Sequence, residues 1–103
     1  MGIIFASAGF RSSFRTGGGR EFYNVIQCLA ILDWCESNGV GIVGIEGFWC
    51  DGEDYLPDLE AIADFSNIVG DPEFSLKSVR AAREFFDFFG SGDGRLFEFV
   101  VME

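Results

Sequence analysis

The chain contains no histidine, which removes the commonest general base at neutral pH and the His-centred nucleophile triads. It has three cysteines, Cys28, Cys35 and Cys50, an odd number without a close pair. Such a set argues against a disulfide framework and suits a reducing compartment. Without histidine it is also a poor zinc site. The expected role of these thiols is that of small buried apolar side chains. Long apolar runs are missing as well. The longest, residues 28–32 and 42–45, fall far short of the ~20 residues that cross a bilayer. Residues 1–15 place their apolar patch ahead of their arginines, the reverse of a secretory signal. A soluble, cytoplasmic protein is expected.

Catalytic fingerprints are equally scarce. No GxSxG, Walker or GxGxxG motif stands between a strand and a helix. Gly17-Gly18-Gly19 precedes a helical pattern, as an anion cradle would, but no Lys or Ser/Thr of a phosphate loop follows. Asp51-Gly52-Glu53-Asp54 lacks the alternating ligand spacing of an EF-hand. Paired carboxylates could serve glycoside hydrolysis, yet a chain of 103 residues offers little cleft for a polysaccharide. The expectation is a protein that is not an enzyme and has no metal or cofactor.

What the chain does have is acid in one place. Its formal net charge is −10. Residues 46–73 hold Glu46, Asp51, Glu53, Asp54, Asp58, Glu60, Asp64, Asp71 and Glu73 without one Lys or Arg. Trp49, Tyr55 and Phe65 lie among them. Elsewhere eight acids nearly balance seven bases. A field so localised bears on partners more than on fold. It disfavours direct nucleic-acid binding, which needs clustered cations. It suits instead a protein that itself binds nucleic acid: carboxylates would stand where phosphates sit, and rings where bases stack. The plainer reading is a solubilising surface, and an acidic module docking on a basic partner that is not a nuclease lies between the two.

The rest of the chain supplies a core. A hydrophobic fraction of 49% with thirteen Phe is ample for one packed domain. Residues 1–20 form an arm without a clear element, either loosely held or folded back so that its arginines meet the acidic window. Residues 21–103 read as a single domain. Over residues 21–38, Phe22, Ile26, Leu29 and Leu32 recur at helical spacing, and Asn38-Gly39 supplies the stop. This helix is nearly all apolar, which predicts cover on more than one side, with Trp34 at the core edge. Residues 40–48 alternate as a central strand, and Gly41, Gly44 and Gly47 invite close approach. Residues 49–58 form a loop or hairpin with a turn at Asp51-Gly52 and a break at Pro57. Residues 59–68 are read as a strand, with a short helix as the alternative. A second helix follows, capped by Asp71-Pro72 or Ser75, with Val79, Ala82, Phe86 and Phe89 inward and Gly90 as its stop. After a turn over residues 91–94, residues 95–103 make the clearest strand, with Glu98 its polar exception. The order predicts an α+β fold: a small, mainly antiparallel sheet with two helices packed on one face.

One patch is more specific. A helix ending in Asn38-Gly39 leads to a glycine-spaced strand, Gly44-Ile45-Glu46-Gly47, with Trp49 just beyond. An acidic, aromatic middle, a Pro72-Glu73 helix start and a terminal apolar strand follow. This arrangement, over residues 21–103, resembles the immunity proteins of tRNA-anticodon-cleaving colicins and the related immunity proteins of contact-dependent growth inhibition systems. The resemblance implies a non-catalytic inhibitor that binds a basic nuclease toxin, an RNase or tRNase, and fills its RNA groove. Together with the charge segregation it nominates Trp49, Asp51, Glu53, Asp54, Tyr55, Asp58, Glu60 and Asp64 as the partner-binding surface, with Phe65 in the core. The expected partner is the cognate toxin domain, with no direct nucleic-acid or membrane binding, and the expected state is a monomer.

Overall fold

A long β-hairpin runs through the computed structural model, which describes residues 5–52, 54–89 and 94–102. Strand β3 (Gly41–Asp51) turns at Gly52 and returns as β4 (Asp54–Asp64); the C-terminal strand β5 (Arg95–Met102) lies on the other side of β3. Both pairings are antiparallel, giving the order β4-β3-β5. Helices α1 (Val25–Asn38) and α2 (Phe74–Phe89) pack on one face of this sheet. The fold is α+β, as the sequence pattern predicts. β3 is the central strand, with apolar residues on both faces and Glu46 as the exception on the outer one, and Asp51-Gly52 makes the turn with Gly52 at φ +60°.

The core lies between sheet and helices. Cys28, Leu32 and Cys35 of α1 and Val79, Ala82 and Phe86 of α2 meet Ile42, Ile45 and Phe97. Two glycines of β3 let the layers close. A Cβ on Gly41 would lie 2.2 Å from the Phe74 ring, and one on Gly47 would lie 2.6 Å from the Ala61 methyl. Ser78, fully buried on α2, accepts a 2.9 Å hydrogen bond from the Ile42 N–H, beside the irregularity in β3–β5 pairing at residues 42–44. It thereby satisfies a backbone donor that would otherwise be buried unpaired.

Several expectations need correction. α1 starts at Val25, not residue 21, because Asn24 caps it: the Gln27 N–H donates to Asn24 Oδ1 (2.8 Å) and the Asn24 N–H to Gln27 Oε1 (3.0 Å). Starting there shifts the inward stripe to Val25, Cys28, Ile31, Leu32 and Cys35. Ile26 is then 74% exposed and Leu29 also faces outward, so the helix is covered on one side only. Pro57 does not end regular structure. It sits within β4 opposite Phe48, and β4 is an edge strand, where a missing N–H is tolerated. Residues 59–64 belong to β4 as a strand, but Ser66–Ile68 turn into a single 3-10 turn. Neither expected cap is seen: Ser75 lies inside α2, and Asp71 closes the turn ahead of it, its carboxylate accepting from the Glu73 N–H at 2.7 Å and pairing with Lys77 at 2.7 Å. The expected stop at Gly90 and most of the turn after it lie outside the described residues.

The described part of the N-terminal arm, residues 5–20, packs onto the domain. Phe5–Ala8 form a 3-10 turn, and the buried Phe5 ring meets Tyr23, Trp34 and Phe99 edge-on. β1 (Phe14–Arg15) and β2 (Glu21–Phe22) pair as a small antiparallel hairpin. Phe22 stacks on Phe48 with centroids 4.6 Å apart, on the sheet face opposite the helices. Tyr23 then bridges to Phe97, with 2.8 Å hydrogen bonds in both directions. The β1–β2 hairpin thus covers the outer face of the sheet at its hairpin-turn end.

Candidate protein-binding surface

The β3–β4 hairpin positions every nominated residue that the structure describes. From its tip inward the cross-strand pairs are Asp51 with Asp54, Cys50 with Tyr55, Trp49 with Leu56, Phe48 with Pro57 and Gly47 with Asp58. Side chains alternate between faces along each strand, so the nominees do not share one surface. Trp49 and Asp58 point to the helix side, Tyr55 to the outer side, and Asp51 and Asp54 stand exposed beside the turn. Pairing resumes at Glu46 with Ile62, leaving Leu59, Glu60 and Ala61 as a bulge. There Ala61 tucks under Gly47 while Leu59 (81% exposed) and Glu60 turn outward. Asp64 lies at the far end of β4, opposite Gly44. Glu53 is outside the described residues. Phe65 is half-buried against the core, as expected.

Two nominees have structural partners that sequence spacing did not reveal. Asp58 forms an ion pair with Arg95 (Nε–Oδ2 3.3 Å), and both side chains are largely buried. The Arg95 guanidinium sits between two rings, 4.8 Å from Trp49 and 4.7 Å from Phe89. Asp58 is therefore part of the scaffold that holds the Trp49 ring in place. Tyr55 packs against Phe22 and Phe48 and accepts a 3.1 Å hydrogen bond from Arg20 Nη1. Arg20 also grips Glu98 through both carboxylate oxygens, at 3.0 and 2.6 Å, which explains the polar position in β5. Of the arm's bases, Arg20 thus reaches the acidic window, at Tyr55, while its carboxylate partner lies outside that window.

The helix-side end of the hairpin retains an exposed apolar row. Leu56 is 67% exposed and Trp49 41%, and Phe88 projects from the last turn of α2. Asp51 and Asp54 are exposed beside it at the turn, and Glu60 is exposed farther along β4. Leu56, Leu59 and Phe88 were missed because an apolar residue in an amphipathic segment reads as core until register and helix end are known. No Lys or Arg occurs between Arg20 and Lys77, so the hairpin carries no base of its own.

The surface offers little reactive chemistry. Burial pushes the Cys28 thiol well up and Cys35 up to about 12, and raises Cys50 too, so all three stay protonated at neutral pH. Among the described residues no group of three or more His, Cys, Asp or Glu is placed to hold a metal ion. Among them, too, no helix is long and apolar enough to cross a membrane. Compared with protein-family models, curated proteins and solved structures, the chain matches none of them.

Proposed function

We propose that this protein is a non-catalytic inhibitor that docks the acidic end of its β3–β4 hairpin on a basic nuclease and shields the nuclease's RNA-binding groove. The observation that carries the reading is the exposed row Trp49–Leu56 with Asp51 and Asp54 beside it, on a hairpin without a base. Aromatic anchors within a charged rim are the usual energetic centre of a tight interface. The acidic field would speed encounter with a basic partner and make association weaken with salt. The resemblance to colicin-type immunity proteins over residues 21–103 supports the same class of partner. Glu60 belongs to this contact set, whereas Asp58 and Tyr55 act by holding the surface in shape.

The test is the triple variant Asp51→Lys, Glu53→Lys, Asp54→Lys. Asp51 and Asp54 are exposed, so the fold should survive, which circular dichroism would check. Protection from the proposed nuclease partner, sought in the product of the neighbouring gene, should be lost. Full protection of cells by the variant would sink the proposed surface. Capture of a basic partner devoid of nuclease activity would replace this reading by that of an acidic adaptor.

A further inference from the structure

The outer face of the sheet is only half covered. On that face β3 presents Gly44, Glu46, Phe48 and Cys50 in turn. Pairing places Ile62 and Glu98 on either side of Glu46, and Asp64 and Val100 on either side of Gly44. The β1–β2 hairpin covers Phe48 with Phe22 and reaches Glu98 with Arg20. Beyond that point Ile62 is 47% and Val100 55% exposed. Gly44 contributes no side chain between them. A Cβ built there would meet the Ala63 carbonyl oxygen at 3.2 Å. The result is a hollow of ≈ 240 Å³ with Ile62 and Val100 in its walls and two carboxylates, Glu46 and Asp64, at its rim.

The charges around the hollow are unbalanced. Glu46 stands directly across from Glu98, an arrangement that disfavours the sheet by itself. Arg20 answers Glu98. Among the described residues no ion pair joins Glu46 to a base. Asp64 accepts hydrogen bonds from Ser66, which hold its carboxyl below the ordinary value and keep it ionised. An apolar trough ending in carboxylates matches a long basic side chain, whose methylene stem is apolar and whose head is cationic.

We propose that this hollow receives an arginine or lysine side chain of the basic partner. The stem would lie over Gly44 between Ile62 and Val100, and the head would meet Glu46 and Asp64. A second copy of this chain is a poor occupant, because each copy carries −10. The proposal rests on the reading of a basic partner and gives that partner a second anchor, separate from the Trp49–Leu56 row.

The experiment is an NMR titration of the 15N-labelled full chain with an end-blocked Gly-Arg-Gly peptide, and with Gly-citrulline-Gly as its neutral isostere. Shift changes should centre on Gly44, Glu46, Ile62, Asp64 and Val100. The double variant Glu46→Gln, Asp64→Asn should bind the arginine peptide about fivefold more weakly, as expected for two exposed ion pairs. Changes centred on Asp51 and Asp54, an absence of saturable changes, or equal binding of the citrulline peptide would each overturn the proposal. A separate nuclease assay with the wild-type chain keeps the two readings apart. Inhibition with a silent hollow overturns the hollow alone, and a responsive hollow without inhibition overturns the nuclease reading alone.

Discussion

Replacing Arg20 by Ala should loosen the whole outer layer of the molecule. The guanidinium makes two hydrogen bonds to Glu98 (3.0 and 2.6 Å) and one to Tyr55 (3.1 Å). It also lies 5.4, 5.3 and 5.2 Å from the ring centroids of Phe22, Phe48 and Tyr55. The side chains of Arg20 and Glu98 are 41% and 23% exposed, so solvent screens the pair and it contributes about 1 kcal/mol. The ring contacts share one cation and add about 1 kcal/mol. Arg20→Ala also leaves Glu98 facing Glu46 without a neutralising charge, worth a few tenths of a kcal/mol more. The expected loss is about 2 kcal/mol, which lowers Tm by roughly 10 °C in a domain of this size. Glu98→Gln alone should cost about 1 kcal/mol, because the ring contacts survive. The double variant should cost about 2 kcal/mol rather than 3, a coupling of about 1 kcal/mol. Urea unfolding followed by tryptophan fluorescence measures all four corners of this cycle. A Tm change under about 2 °C for Arg20→Ala, or strict additivity, would refute the claim that this contact fastens the N-terminal hairpin to the sheet.

Other perturbations separate the remaining roles. Ser78→Ala should destabilise the fold by about 1–3 kcal/mol, since the Ile42 N–H loses its buried acceptor; denaturant midpoints would show it. Asp71 has its folded pKa lowered from 3.8, by the Lys77 ammonium first and the Glu73 N–H second. Its stabilising effect is therefore present above 3.8 and lost as pH falls through the lower folded value. Wild type and Asp71→Asn should accordingly differ at pH 6 and converge near pH 2 in thermal melts. Cys28 and Cys35 should resist iodoacetamide in the native protein and react on unfolding, whereas early native labelling of either would contradict their burial. On the proposed docking mode, charge reversal at Asp51, Glu53 and Asp54 should abolish protection of cells from the nuclease partner while leaving Tm nearly unchanged, as read by cell survival and a thermal melt.

The linear order of residues was enough for the layer plan. Period-two alternation marks β3 and β5, and the stripe of Val79, Ala82 and Phe86 marks the inner face of α2, because these periods follow from backbone geometry alone. The Asp51-Gly52 turn is equally local, since it asks only for a residue that accepts positive φ. The start of α1 was misplaced at residue 21 because apolar spacing extends past the Asn24–Gln27 capping box that sets it at Val25. The acidic surface was legible only as charge. Whether an acid faces a partner or the protein itself depends on register, and register across β3–β4 changes at a bulge that no local signal announces. That bulge lets Asp58 turn toward Arg95 while Glu60 turns to solvent. The same holds for Arg20, whose partner Glu98 is remote in sequence and near only because β1 and β2 fold over the sheet. Composition therefore says that the hairpin is acidic, whereas pairing between distant strands decides which of its carboxylates remain free for another molecule.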